Sequence, residues 1–166
     1  MIRAAILTVS DSAVAGTRED ASGPALHAIC GELGWTVVAT GVVRDDQKEI
    51  AARLREWADS QTATLILTTG GTGVAARDVT PEATRHVLDR EIPGLAELMR
   101  TKGLEQTPFS ALSRAVAGSR KRTLIINLPG SPRGAVSSLQ SIQHLVSHVV
   151  DLLEGRTNHS SDAKLE

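Results

Sequence analysis

Hydrophobic positions along the chain follow two periods in turn. Short apolar runs bounded by polar residues or glycine read as strands: Ala4 to Val9, Trp35 to Val43, Leu65 to Thr68, and Thr123 to Leu128 with Leu124-Ile125-Ile126 at its centre. Between them the spacing lengthens to that of helices. Pro24 to Leu33 carries proline near its first turn, where a missing N–H costs least. Asp46 to Ala58 sets Ile50, Ala51, Leu54 and Trp57 on one face. Thr80 stands where it can cap another helix, with Pro81 in the first position, although Ala83 replaces the Glu or Gln of a full capping box. Gly94 to Leu104 follows Pro93, and Ala135 to Leu153 repeats apolar residues at 135, 136, 139, 142, 145, 146, 149 and 150. Ser113 to Gly118 reads as a short strand that turns through Gly118 to Arg122 into the Thr123 run.

Strands alternating with helices imply an α/β fold, a mostly parallel sheet covered by helices on both faces. In such sheets ligands bind beyond the carboxyl ends of strands, near a reversal of strand order. That rule selects three loops: Ser10-Asp11-Ser12, Thr69 to Asp78, and Asn127 to Pro132. The 166 residues are expected to form one domain over 1–155, followed by a polar, frayed tail at 156–166.

Composition removes several classes of function. With 18 basic and 19 acidic residues and no basic block, the chain lacks a nucleic-acid footprint. Its only aromatics are Trp35, Trp57 and Phe109, too few for a base-stacking platform. Cys30 is the single cysteine, which rules out an intrachain disulfide and a cysteine-rich zinc site; its apolar neighbours make it a buried thiol. No run reaches the length of a membrane span and the first residues lead straight into a strand, so the expectation is a cytoplasmic protein.

The Thr69-Gly70-Gly71-Thr72-Gly73 loop is the sharpest chemical signal. Glycines after a buried strand let backbone N–H groups converge on an anion without side-chain obstruction, and the bland alternative is a tight turn. Gly71-x-Gly73-x-x-Ala76 fits the dinucleotide fingerprint in letters but follows the third strand rather than the first, which counts against a nicotinamide-dependent oxidoreductase. No Walker motif occurs. Asp78 precedes the Thr80-Pro81 helix start, and Asp45 and Asp46 follow the second strand. Each carboxylate has a capping or turn role available; together, beside a phosphate loop, they suit a shared Mg²⁺. His144 and His148 have the i,i+4 spacing of a zinc pair but lack its glutamate and belong on a polar face, while His27 and His86 stand alone. Ser131 is not in a nucleophile elbow.

Longer phrases go further. Thr8-Val9-Ser10-Asp11, Thr17-Arg18-Glu19-Asp20, Thr69 to Gly73, Arg77-Asp78-Val79-Thr80-Pro81-Glu82-Ala83-Thr84, Leu112 to Gly118 and Ile125 to Pro132 resemble, in order, the MogA and gephyrin G-domain family of molybdenum cofactor biosynthesis. The resemblance runs from about Arg3 to Gly155. It implies a three-layer doubly wound α/β protein and a homotrimer that adenylylates molybdopterin with Mg-ATP, ahead of a molybdate-inserting protein. By motif position it makes Asp45 and Asp78 the catalytic and Mg²⁺-holding carboxylates. Gly70, Gly71, Thr72 and Gly73 would hold nucleotide phosphate and Ser113 molybdopterin. Ser10, Asp11, Thr80, Arg114, Asn127, Pro129, Gly130, Ser131 and Pro132 would complete the pocket. Arg44 and Ala76 stand where the family often has proline, the first of which leaves Asp45 and Asp46 both open as the first carboxylate. The intact Arg77 to Pro81 stretch favours the MogA type over a catalytically silent MoaB type.

Overall fold

A computed structural model describes residues 1–156. Six strands form one sheet: β1 Arg3–Val9, β2 Thr36–Val43, β3 Leu65–Thr69, β4 Arg90–Glu91, β5 Ala117–Arg120 and β6 Thr123–Leu128. Their order is β2-β1-β3-β6-β5-β4, with the first four parallel and the β6-β5-β4 side antiparallel. The helices are α1 Asp11–Val14, α2 Ser22–Glu32, α3 Gln47–Asp59, α4 Thr80–Val87, α5 Pro93–Gly103 and α6 Pro132–Leu153, with a 3-10 turn at Pro108–Leu112. The mixed three-layer architecture is the one expected from the alternating pattern.

Position in the sheet explains each strand's composition. β3 and β6 lie between parallel or paired neighbours and are buried along their whole length, so they are apolar or threonine-rich, with Asn127 of β6 the exception. β2 is an edge strand, and its residues alternate between exposed and partly covered. One face of the sheet packs on α2, α5 and α6 through Ile6, Leu26, Leu67, Ile126 and Ile142. The other packs on α3 and α4 through Leu7, Ile50, Leu54, Ile66 and Ile125. Cys30 is fully buried in the first core, and burial pushes its thiol up to about 11, as an inert packing residue requires.

Two expectations need correction. The short strand is Ala117–Arg120 rather than 113–118, and the reversal is a two-residue turn at Lys121 and Arg122. The cause is the pairing of Gly118 with Ile125 and of Arg120 with Thr123, which uses the residues assigned to the turn. Upstream, the Ser113 and Ala115 carbonyls accept from the Arg100 guanidinium instead of from a strand. Thr80 does not cap α4; it is its first residue, and its buried hydroxyl donates to the Gly70 carbonyl at 2.9 Å. The short elements α1 and β4 have no signal strong enough to read from periodicity. Of the expected tail at 156–166, all but Arg156 lies outside the described residues.

Gly70 has φ +100°, and a Cβ there would collide with the Val9 carbonyl oxygen of the neighbouring strand. Gly70→Ala should therefore lower stability by about 1–3 kcal/mol. Gly31→Ala, in α2 with open space at its Cβ, should be neutral or stabilising by up to about 1 kcal/mol. Urea midpoints of the two variants check this; equal midpoints would refute the role of the Gly70 turn.

Candidate active site

The carboxyl ends of the parallel strands bring the three expected loops together. Ser10 follows β1, and its N–H donates to the Val43 carbonyl at the end of β2 at 2.9 Å. Gly70 follows β3, and its N–H donates to Leu128 of β6 at 3.2 Å. The Thr69 hydroxyl donates to the Pro129 carbonyl at 2.7 Å. Gly130 packs so closely that a Cβ on it would stand 3.3 Å from the Gly70 Cα. Four strand ends thus share one small area.

The two candidate carboxylates after β2 separate cleanly. Asp46 caps α3: its Oδ1 accepts from the Glu49 N–H at 2.9 Å, and the side chain is otherwise exposed. Asp45 points into the site. It accepts from the Asp11 N–H at 3.0 Å, while its own N–H donates to the Asp11 carboxylate at 2.9 Å. Its Oδ1 would stand 3.3 Å from a Cβ at Gly71. Desolvation raises the Asp45 pKa above the ordinary carboxylate value; the Asp11 N–H and Arg77 oppose that rise, while the Asp11 and Asp78 charges add to it.

The glycine loop lies opposite. Gly71 has φ +67°, and its carbonyl accepts from the Thr80 N–H at 3.1 Å. No hydrogen bond among the described residues engages the N–H groups of Gly71, Thr72 or Gly73. Three successive free donors on a glycine-rich turn form a backbone nest suited to an anion. Asp78 closes the loop: its Oδ2 accepts from Ala75 N–H at 2.9 Å and would lie 2.8 Å from a Cβ at Gly73. Glycine at 73 is what lets that carboxylate fold back under the loop.

Two cavities meet at this point. The larger, about 530 Å³, runs from the loop across Met99, Phe109, Leu112 and Ser113 to Ser138. The smaller and more polar, about 390 Å³, holds Ser10, Asp11, Asp45 and Arg77 and reaches Asp20. Gly71, Asp78, Gly130 and Ser131 line both. Ser131 also caps α6 by accepting from the Gly134 N–H at 3.1 Å, with Pro132 in the first turn, so the N-terminal end of a 22-residue helix borders the shared wall. Helix N-termini favour anions.

Most expected site residues line one cavity or the other, but some do not present free groups to a ligand. Asn127 is fully buried: its amide nitrogen donates to the Thr68 and Thr84 hydroxyls at 3.0 and 2.9 Å, and its oxygen accepts from Val116 N–H at 3.1 Å. It ties β6 to β3, α4 and the segment before β5, so it supports the cavity floor instead of offering a contact. Arg114 likewise turns inward, onto the glycine loop and Glu82. Thr80 holds Gly70 rather than facing either cavity.

Sequence reasoning did not single out Phe109 or Asp20. Phe109 reads from the sequence only as a rare aromatic, yet it stands at the mouth of the larger cavity, 74% exposed. Asp20 accepts from the Thr8 hydroxyl at 2.7 Å and from Gly23 N–H at 3.0 Å; a carboxylate three residues before a glycine is a weak but readable sign of that helix-start role. His144 and His148 are exposed on α6. Among the described residues no group of three or more His, Cys, Asp or Glu is arranged to hold a metal ion, and no helix is long and apolar enough to cross a membrane.

Comparison with known proteins places this geometry. Residues 5–148 match the family described as "probable molybdopterin binding domain". The molybdenum cofactor synthesis protein cinnamon of Drosophila melanogaster is 42% identical over 149 residues, 89% of this chain but only 25% of that protein, so the chain spans about a quarter of that relative. Molybdopterin adenylyltransferase of Helicobacter pylori strain J99 is 39% identical over 156 residues, covering 93% of this chain and 89% of the relative. The crystal structure of the molybdopterin biosynthesis enzyme MoaB from Thermus thermophilus superposes with a TM-score of 0.88 at 52% identity, covering 93% of this chain and 98% of the other. On this fold, this identity and a family match over most of its length, the chain belongs to the molybdopterin-binding domain family of the MogA and MoaB proteins.

Proposed function

We propose that this chain is a molybdopterin adenylyltransferase of molybdenum cofactor biosynthesis, joining the AMP part of Mg-ATP to molybdopterin and releasing pyrophosphate. The observation that carries this reading is the wall common to the two cavities, because group transfer needs two adjacent seats and one place where the reacting atoms meet. The relative of that name, 39% identical and matched over nearly its whole length, supports it. The larger cavity, with Ser113 beside the apolar surfaces of Met99 and Phe109, takes the pterin. The polar one takes the nucleotide phosphates.

In the transfer, an oxygen of the pterin's terminal phosphate bonds to the α-phosphorus of ATP. The bond from that phosphorus to the bridging oxygen breaks, and the electron pair leaves with pyrophosphate. The free N–H groups of Gly71, Thr72 and Gly73 and the amino end of α6 are the donors set around the shared wall for phosphate oxygens. Asp45 and Asp78 would hold the Mg²⁺, which when bound shields the charge of the phosphates. They fit it: Asp45 is desolvated and crowded by the Asp11 and Asp78 charges, a concentration of negative charge that a divalent cation relieves. In the same reading residues 1–155 are one catalytic domain, assembled as a cytoplasmic homotrimer that passes its product to a molybdate-inserting protein.

Incubation with molybdopterin and Mg-ATP tests the proposal. Pyrophosphate with an adenylylated pterin is the expected outcome; pterin binding without pyrophosphate would instead assign the silent MoaB-like role. Asp78→Asn should lower turnover by at least about a hundredfold. Its fold should survive, since Asn Oδ1 still accepts from Ala75 N–H. Turnover near that of the parent would remove Asp78 from the mechanism.

Asp45 also gives a pH signature. Its folded-state pKa is raised, so the native chain binds this proton more tightly than the unfolded chain. Above the raised pKa the ionised carboxylate therefore costs stability, and the cost disappears as pH falls toward the ordinary value of 3.8. Asp45→Asn should raise the melting temperature at pH 7, with the gain falling away as pH drops through the raised pKa and gone by about the ordinary 3.8. It should also abolish transfer. A variant less stable than the parent at pH 7 would contradict the assigned burial cost.

A further inference from the structure

Arg114 follows Ser113 in sequence, and its resemblance-based role is ligand binding. Its geometry says otherwise. The guanidinium Nε donates to the Gly73 carbonyl at 2.7 Å, and Nη2 donates to the Asp78 carbonyl at 2.6 Å. Nη1 pairs with the Glu82 carboxylate, and Nη2 lies 3.5 Å from its second oxygen. The Arg114 backbone N–H donates to the Thr72 carbonyl at 2.9 Å. Every nitrogen of the planar fork is thus committed to the protein, across both ends of the glycine loop.

The consequences for the two partners are complementary. The Arg114 hydrogen bond holds the Glu82 carboxyl below its ordinary pKa, so the pair stays charged at neutral pH. The guanidinium anchors the Gly73 and Asp78 carbonyls, at the two ends of the segment that carries the Asp78 carboxylate. The Gly71, Thr72 and Gly73 N–H groups, without hydrogen-bond partners among the described residues, share their peptide planes with carbonyls held by Thr80 (Gly70 and Gly71) and by the Arg114 backbone N–H (Thr72). A peptide plane has its N–H opposite its C=O, so anchoring the oxygens on one side orients the donors to the other. The guanidinium fixes the main chain of Asp78, whose side chain folds back onto Ala75. Ser113, one residue away, lines the larger cavity, while Asp78 lines both. A single residue therefore joins the Ser113 side of the larger cavity to the carboxylate that lines both.

We propose that Arg114 is a positioning residue, not a ligand contact: its guanidinium clamps the segment from Gly73 to Asp78 and aligns the Asp78 carboxylate with the wall where the cavities meet. Glu82 is its counter-ion and keeps the fork in plane. The inference rests on the transfer reading for its effect on turnover, but its effect on the loop stands independently. Lysine keeps the charge at 114 and cannot reach two carbonyls and a carboxylate together.

The test uses the full chain with Arg114→Lys, Arg114→Gln and Glu82→Gln. Three quantities are read: steady-state transfer, the pterin dissociation constant from its fluorescence, and amide hydrogen exchange. For both Arg114 variants kcat should fall at least about tenfold, because a misaligned group costs rate before it costs binding. The pterin constant and both KM values should move less than about threefold. Exchange over residues 72–78 should accelerate while β1 and α6 keep parental protection. Glu82→Gln leaves both carbonyl bonds intact, so it should shift kcat and exchange in the same direction by a smaller factor; it also decides the matter if the Arg114 variants fail to fold. Parental kcat, or a loss carried wholly by KM and the pterin constant, would overturn the positioning role. So would unchanged exchange over the loop. If the parent chain shows no transfer, the functional reading fails by itself, and exchange with the pterin constant still decides for or against Arg114.

Discussion

Gly70 sits where β3 ends between two parallel neighbours, and the rest of the site depends on how tightly the chain turns there. Its N–H is bonded to Leu128 of β6, its Cα packs against Gly130, and the Val9 carbonyl of β1 occupies the space a side chain would need. At φ +100° only glycine makes this turn without strain. The Thr80 hydroxyl then closes the loop by donating to the Gly70 carbonyl from ten residues downstream. A β3 exit displaced by even one residue would separate the nest from Asp45 and from the amino end of α6. Sheet register, not the loop's own preference, therefore fixes where an anion can sit.

Charge follows from this geometry. The turn brings carboxylates from the ends of β1 and β2 and from the approach to α4 into one polar cavity, with Arg77 the nearby cation that offsets Asp45. Asp11 and Asp45 satisfy each other's backbone N–H, which orients both side chains without cancelling either charge. The cavity consequently combines the free Gly71 N–H and the amino end of α6 with carboxylates that outnumber its cations, Arg18 and Arg77. That combination is repulsive toward a bare polyphosphate and favourable toward one that carries a divalent cation. It is a physical reason for reading the small cavity as a Mg-nucleotide seat, separate from any likeness to relatives.

Much of this is legible in the chain. β3 and β6 are readable because central strands are apolar along their length, and α3 because Ile50, Ala51, Leu54 and Trp57 repeat at helical spacing. The segment from 113 to 122 misleads. There the pattern is set by partners distant in sequence, Arg100 and Asn127, which take the polar groups of Ser113 to Val116 before a strand begins. Asp45 and Asp46 are indistinguishable as adjacent letters. They separate only once β2 has a register, since successive residues leave a strand on opposite sides and one of them must start α3.

Asn127 and Arg114 show a limit of a different kind. Both stand in motif-like phrases, both have the chemistry of ligand-binding groups, and both are used inside the protein. A pocket built from backbone donors needs this arrangement, because backbone N–H groups cannot choose their own direction. Something must hold the peptide planes by their carbonyls: Thr80 holds those of Gly70 and Gly71 through its hydroxyl and N–H, and the Arg114 N–H holds that of Thr72. The Arg114 guanidinium clamps the neighbouring segment that carries Asp78, while Asn127 braces the floor beneath it. Residues that shape an anion nest are thus expected to resemble residues that bind the anion, and composition alone will assign them to the ligand. Hydrogen bonding separates the two: a group whose nitrogens are each bonded within the protein shapes the site, and a backbone donor left without a partner is the one that waits for phosphate.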